Sequence, residues 1–391
     1  MKHEDFLARL ALEYPKTAKQ NDIRSLVIPT LIAPLVVDLP GKWLADATRF
    51  VEIAYRQIRD NQSVGEQLRC LAPEVPRPDH SSALMSYDFH VDFRTQAEGQ
   101  IKLIEINTNA SMSLLLDVLN CQMHVGRCLK ESFLDDFAED LGRSLRDTKV
   151  VIIDESPMSQ KLYVEFLMYK ELFESRGAAA RIADRTELAF QDGKLWLKDD
   201  PKFGPIDLVY NRLTDFYFET AEAAALQKAM RAKACVISPH PFDYRLLADK
   251  ARLVQWCAAG SLESYGISAD DAGFFRSILI NTRDSTGLDP EQLWKERKGL
   301  IFKPKTSHGG KGVYRGSSVS RGAFQSVIDS GALAQDFIPA PTLKLGDEEF
   351  KYDLRFFAYK DRINIACARL YQGQMTNATT PGGGVAAVSW S

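Results

Sequence analysis

At 391 residues, with a formal net charge of −3, 45% hydrophobic and 26% charged residues, the chain has the make-up of a globular protein and room for two or three domains of roughly 150 residues each. That charge balance offers no field for nucleic acid, which asks for a basic patch and a high pI, so any anionic ligand must be held by local cations. No stretch approaches the ~20 apolar residues of a membrane span; the run 27–37 is too short and carries two prolines.

The opening MKHEDFLARL reads as an amphipathic helix rather than a signal peptide. Residues 1–80 are expected to form a helical region, because Trp43, Leu44, Phe50, Val51, Ile53, Ala54 and Ile58 recur at helical spacing. Pro73, Pro76 and Pro78 close it. In 81–147, the runs SALMSYDFHVDF and IKLIEIN flank the polar TQAEGQ, a hairpin pattern, and a helix is expected over 114–131. Residues 148–245 alternate strand and helix: VVIID, a helix over 163–175, AARIAD, KLWLKD, IDLVYN, a helix over 220–233 and ACVISP. That is the pattern of a small open α/β domain. From 246 to 391 the chain reads as an α+β unit. Six cysteines (Cys70, Cys121, Cys128, Cys235, Cys257, Cys367) form no C-x-x-C pair; they are expected to be reduced, mostly buried thiols, which implies a cytoplasmic protein.

Three segments carry chemistry. In IFKPKTSHGGKGV (301–313) a strand-end lysine and a Gly-rich turn can set an ammonium and backbone N–H groups against a polyphosphate. The Walker pattern G-x-x-x-x-G-K-[ST] is absent, and a surface turn with solvated lysines is the competing reading. Glu105 and Asn107, two apart on a strand, share a face and offer hard oxygens suited to Mg²⁺. Asp88 or Asp92 can add a carboxylate across the hairpin; turn chemistry is the alternative. In YDLRFFAYKDRINIACARLYQGQMTNATTPGGG, Asp353 and Arg355 share a face and Arg369 follows on the next strand. Arg forks grip phosphate or carboxylate, or the group is a structural Asp–Arg pair. No Ser/His/Asp or H-E-x-x-H arrangement exists, and no G-x-G-x-x-G follows VVIID, so a Rossmann dehydrogenase fails.

In combination, Asp249-Lys250, FKP with GGKGV, QDFI, DLR and N…GGG resemble the nucleotide-binding half of an ATP-grasp domain. The Asp strand and E-x-N strand that finish such a domain stand upstream here, as SYDFHVD…IKLIEINTNA. This order is similar to the glutathionylspermidine synthase-like branch and implies a circularly permuted ATP-grasp fold. It would combine a pre-ATP-grasp α/β domain (148–245), a metal-binding hairpin and helix (81–147) belonging to the ATP-grasp unit, and a nucleotide-binding region (246–391).

The resemblance implies ATP and Mg²⁺ as cofactors. Lys250 and Lys303 would hold the phosphates, Gly309, Gly310, Lys311 and Gly312 the lid, and Gln335, Asp336, Phe337 and Ile338 the adenine hinge. Asp88, Glu105 and Asn107 would be the metal set, with Asp92 the alternative to Asp88. Arg355 and Arg369 would be catalytic and Asn377 would face substrate; Arg212, by its own position at a strand's carboxyl end, where open α/β sheets bind ligands, is either an anchor for a substrate carboxylate or half of an interface ion pair with Asp215 or Glu219. The implied activity is an ADP-forming carboxylate–amine ligase working through an acyl phosphate on small-molecule or peptide substrates, without nucleic-acid or membrane partners. A small-molecule kinase of the same fold, or an inactive ATP-binding regulator, are the alternatives; acid, amine and oligomeric state are not specified.

Overall fold

The computed structural model describes residues 2–126, 128–305, 312–377 and 379–391. A seven-stranded sheet forms the centre. Its strands run side by side in the order Ile32–Leu39, Gly384–Trp390, Arg362–Tyr371, Glu348–Tyr359, Met85–Asp92 and Gln100–Asn107, and Thr342–Leu345 also pairs with Glu348–Tyr359. Neighbours are antiparallel except Ile32–Leu39, which lies parallel to Gly384–Trp390. Strand alternation sends Phe89, Leu354 and Phe356 into one core with Phe50 and Phe275, where Phe89 meets Phe50 and Phe356 edge-on at 5.9 and 5.5 Å. Phe357 and Cys367 feed the core on the other side, with Phe133, Phe137 and Ile152.

The expected open α/β unit is present as a four-stranded parallel sheet: Ala179–Asp184, Lys149–Asp154, Leu208–Asn211 and Val236–Ser238. Val150 to Ile153 are completely buried, as an apolar run covered on both faces should be. A third, antiparallel sheet of Thr282–Asp284, Leu333–Asp336, Leu300–Lys303 and Tyr314–Arg315 packs Phe302 and Ala334 on Leu293 and Phe324.

Four expectations need correction. The region 1–80 is not helical throughout, because Ile32–Leu39 joins the central sheet. Its partner lies some 350 residues away, and the pairing skips from Ile32↔Val385 to Val36↔Ala387 around Pro34, since proline cannot donate to a ladder and sits at bulges. The helix expected over 114–131 is two helices, Ser113–Met123 and Lys130–Leu141, broken where His124 and Gly126 take positive φ. KLWL pairs with Leu188–Gln191 in a separate hairpin and is not a strand of the parallel sheet. Cys121 and Cys128 are not free thiols: that turn brings their Cα atoms to 5.7 Å and they form a disulfide, which removes the ground for inferring a reducing compartment. Among the described residues no helix is long and apolar enough to cross a membrane.

Candidate functional site

Sheet register decides what meets what. Asp88 lies directly opposite Glu105 on one side and Arg355 on the other, and Asp353 opposite Arg369. Directly opposed residues share a face, so one face of the central sheet carries Asp88, Glu105, Asn107, Asp353, Arg355 and Arg369. The hairpin has a bulge: Asp88 opposes Glu105 but Phe89 opposes Leu103, leaving Ile104 as the extra residue. A bulge frees and re-aims backbone groups. Here the Ile104 carbonyl accepts from Lys303 Nζ at 3.3 Å, tying the third sheet to the polar face.

Between that face and the third sheet lies a cavity of about 430 Å³. It brings together Glu105, Asn107, Lys250, Lys303, Arg355 and Arg369, with Gln335 to Ile338 along one wall. Ile280, Ile301, Val313 and Ile338 make an apolar section. Six lysines and arginines line it against three carboxylates, Glu105, Asp336 and Asp353, so the cavity is locally cationic in a chain of net charge −3. Lys250 Nζ stands 3.8 Å from Glu105 Oε2. Lys303 is 6% exposed; burial pushes its pKa down to about 8, with Glu105 opposing the shift and Lys250 adding to it.

Asp88 is fully buried and does not line the cavity. Arg355 binds it in two-point fashion, Nε to Oδ1 at 2.8 Å and Nη2 to Oδ2 at 2.7 Å. Arg369 Nη2 adds a contact at 3.0 Å and Asn107 Nδ2 donates at 3.3 Å. Burial works to raise the carboxyl, yet the two guanidinium groups hold it below its usual value. Arg369 Nε also binds Asp353 at 2.5 Å, and Thr376 Oγ1 donates to the other Asp353 oxygen. Asp88 therefore stands as the counter-ion that orients two arginines, and of the expected metal set Glu105 and Asn107 face the cavity. Asp92 sits at the other end of the hairpin, opposite Gln100, clamped by Arg94 at 2.8 Å.

Other expected residues divide. The Asp336 and Phe337 N–H groups are taken by the carbonyls of Asn281 and Gly299, at 2.9 and 2.7 Å. Gln335 is buried and donates to Thr282. Gly312 has φ +71°, and a Cβ there would lie 2.8 Å from Pro304; Gly309, Gly310 and Lys311 lie outside the described residues. Asn377 is a loop brace rather than a cavity residue, donating to the Gln372 and Met375 carbonyls. Gly384 of the GGG run has a backbone reason: at φ +113° a Cβ would lie 2.6 Å from the Leu31 carbonyl carbon.

Arg212 lies away from the cavity, at the carboxyl end of Leu208–Asn211. It is 7% exposed, donates to the Ala110 carbonyl and leaves Nε without a partner. His90, Arg315, Lys351 and Thr376 also line the cavity and were not expected. His90 and Lys351 were within reach of the sequence, each two residues from a predicted site residue and hence on its face; nothing marked Thr376.

No family model and no curated protein matches the chain. Among solved structures it is similar to a glutathione synthetase-like effector from Globodera pallida in its apo form, at TM-score 0.56 and 10% identity over 91% of this chain and 89% of that one. It is also similar to a putative gamma-glutamylcysteine synthetase from Methylobacillus flagellatus KT, at TM-score 0.49 and 12% identity over 90% and 88%. The first likeness is one of fold.

Proposed function

We propose that the protein is an ATP-dependent carboxylate–amine ligase with a permuted ATP-grasp arrangement, and that the 430 Å³ cavity is its nucleotide site. The carrying observation is convergence: Glu105 and Asn107, Lys250, Lys303, and Arg355 with Arg369 come from four separated parts of the chain into one cationic cavity. The fold shared with a glutathione synthetase-like protein supports the same class.

The apolar section would take the purine. With the Asp336 and Phe337 N–H groups engaged, its edge is left to Ile338 and to carbonyl oxygens. Lys250 and Lys303 would neutralise the polyphosphate. Glu105 and Asn107 fit magnesium as hard oxygen donors, which would supply further neutralisation of phosphate charge; Asp88 is left out because its oxygens are committed to Arg355 and Arg369. The arginines, held by Asp88 and Asp353, would grip the transferring phosphoryl group, electrostatic positioning being the main source of acceleration in such chemistry. A substrate carboxylate oxygen attacks the γ-phosphorus and ADP leaves; an amine nitrogen then attacks the acyl carbon, phosphate leaves, and the nitrogen's proton passes to solvent. Arg212, a buried cation that lacks a carboxylate within ion-pair distance among the described residues, is the proposed anchor for a substrate carboxylate.

The test is turnover. Acid–amine pairs are screened for ADP release and the products analysed by mass. An amide with stoichiometric phosphate is expected, and its loss in Lys303→Ala. A phosphorylated product without amide would replace the ligase with a kinase, and nucleotide binding without turnover on any pair would leave a regulator.

A further inference from the structure

A second cavity, of about 790 Å³, opens inside the central sheet. Strands Arg362–Tyr371 and Gly384–Trp390 pair only from Cys367↔Ala387 to Leu370↔Gly384. Beyond that the two strands separate. Residues 362–366 stay paired on their other side to Glu348–Tyr359, and 388–390 to Ile32–Leu39. The separation has a cause. Phe357 opposes Ile365 and Ala358 opposes Ile363, so Asn364 is a bulged residue. Asp136 of helix Lys130–Leu141 takes both Asn364 Nδ2 and Arg362 Nη2 at 2.7 Å, holding the bulged strand away from its neighbour.

Leu44 and Thr48 of helix Gly41–Glu52 form one wall of this fork, and Val125 and Leu129 another. Its two flanks are strand edges whose ladder has stopped, and backbone N–H and C=O groups turned into a walled space call for partners. A second, independent sign lies in the same cavity. Asn120 is 7% exposed and its Oδ1 has no hydrogen-bond partner. Of the charged groups at the mouth, Arg56 is bound to Asp361 at 2.5 Å and Arg362 to Asp136 at 2.7 Å, and Glu52 lies at the same rim. Inside that rim the slot offers apolar wall and neutral hydrogen-bonding capacity.

We propose that the fork is a binding slot for a short extended peptide with uncharged side chains, which enters as an added strand between the two edges. A polypeptide is the ligand chemistry that presents donors and acceptors at the strand repeat on both sides at once. Its side chains would alternate between the Leu44/Thr48 wall and the Val125/Leu129 wall, and about five residues at ~3.3 Å each would span it. The volume lies within the ~300–1,000 Å³ of ligand sites generally. This inference is independent of the nucleotide cavity.

The test uses the full chain. A phage-displayed random heptapeptide library is panned on wild type and on Thr48→Trp, which fills the slot from one wall, with Ser132→Tyr as a second filling variant should the first fold poorly. The enriched peptide is synthesised plain and with alternate amides N-methylated. Enrichment of uncharged, alternating sequences is expected. The plain peptide should slow amide exchange at 362–366 and 388–390 by about tenfold or more, and lose about tenfold or more in affinity on N-methylation and in the folded filling variant. The proposal is overturned if nothing enriches, if the N-methylated peptide binds equally, if protection falls elsewhere, or if free-protein amides at 362–366 and 388–390 already exchange as slowly as those at 367–370.

Discussion

Two sheets of this molecule use their faces in opposite ways. The parallel sheet is apolar through its central strand, with Val150 to Ile153 wholly buried, and gathers polar groups at carboxyl ends, at Asp154, Asn211 and Arg212, with Arg181 exposed on the edge strand. The central sheet gives one stretch of a face to charge, Asp88, Glu105, Asp353, Arg355 and Arg369, beside Phe357 and Cys367 that pack into a core, and the opposite face to Phe89, Leu354 and Phe356. In the first, chemistry depends on where strands stop; in the second, on register, because a one-residue slip would carry every charge to the apolar core.

The largest expected effect breaks the charged face at its centre. Asp88→Ala leaves Arg355 and Arg369 without their shared counter-ion in a fully buried position, and removing one partner of a buried pair costs about 3–5 kcal/mol. Denaturant unfolding checks it; a loss below about 1 kcal/mol would mean the arginines find water instead. The pH sign follows. Asp88 is held below its ordinary value, so its stabilisation is in place above pH ~4 and is lost as pH falls below that.

Next comes the edge of the same sheet. Gly384→Ala forces a side chain onto Leu31 at a left-handed φ, and a loss of about 2 kcal/mol or more is expected in thermal melts. An unchanged melting temperature would show that Ile32–Leu39 is not tightly seated.

A functional effect sharpens the contrast. Lys303 is charged below about pH 8, so nucleotide affinity should fall as pH rises through 8, by up to about tenfold per unit, while Lys303→Arg should flatten that fall. Equal slopes in titrations of both proteins would remove Lys303 from the site. The smallest effect belongs to the parallel sheet: Arg212→Met replaces a buried cation with an unpartnered Nε, so stability should stay within about 1 kcal/mol or rise. A loss above about 2 kcal/mol would make Arg212 a structural brace.

The legible part of the fold follows from local pattern. Met85–Asp92 with Gln100–Asn107 showed as alternation around a polar turn, and Tyr163–Ser175 as a helix closed by Gly177. Glu105 and Asn107 were readable because a two-residue repeat sets a face. What was not readable depended on distance along the chain. Nothing local says that Arg355, 267 residues from Asp88, occupies both its oxygens, or that Ile32–Leu39 finds the last strand. The Cys121–Cys128 bridge needed a helix break that spacing does not announce.

The most direct measurement is isothermal titration of ATP into the 391-residue chain with and without Mg²⁺, beside Glu105→Ala, Lys303→Ala and Asn377→Ala. Magnesium-dependent binding is expected, weakened by the first two substitutions and left in place by the third, a loop brace outside the cavity. Failure of the folded wild type to bind, or binding untouched by Lys303→Ala and Glu105→Ala, would contradict the assignment of the cavity as a nucleotide site.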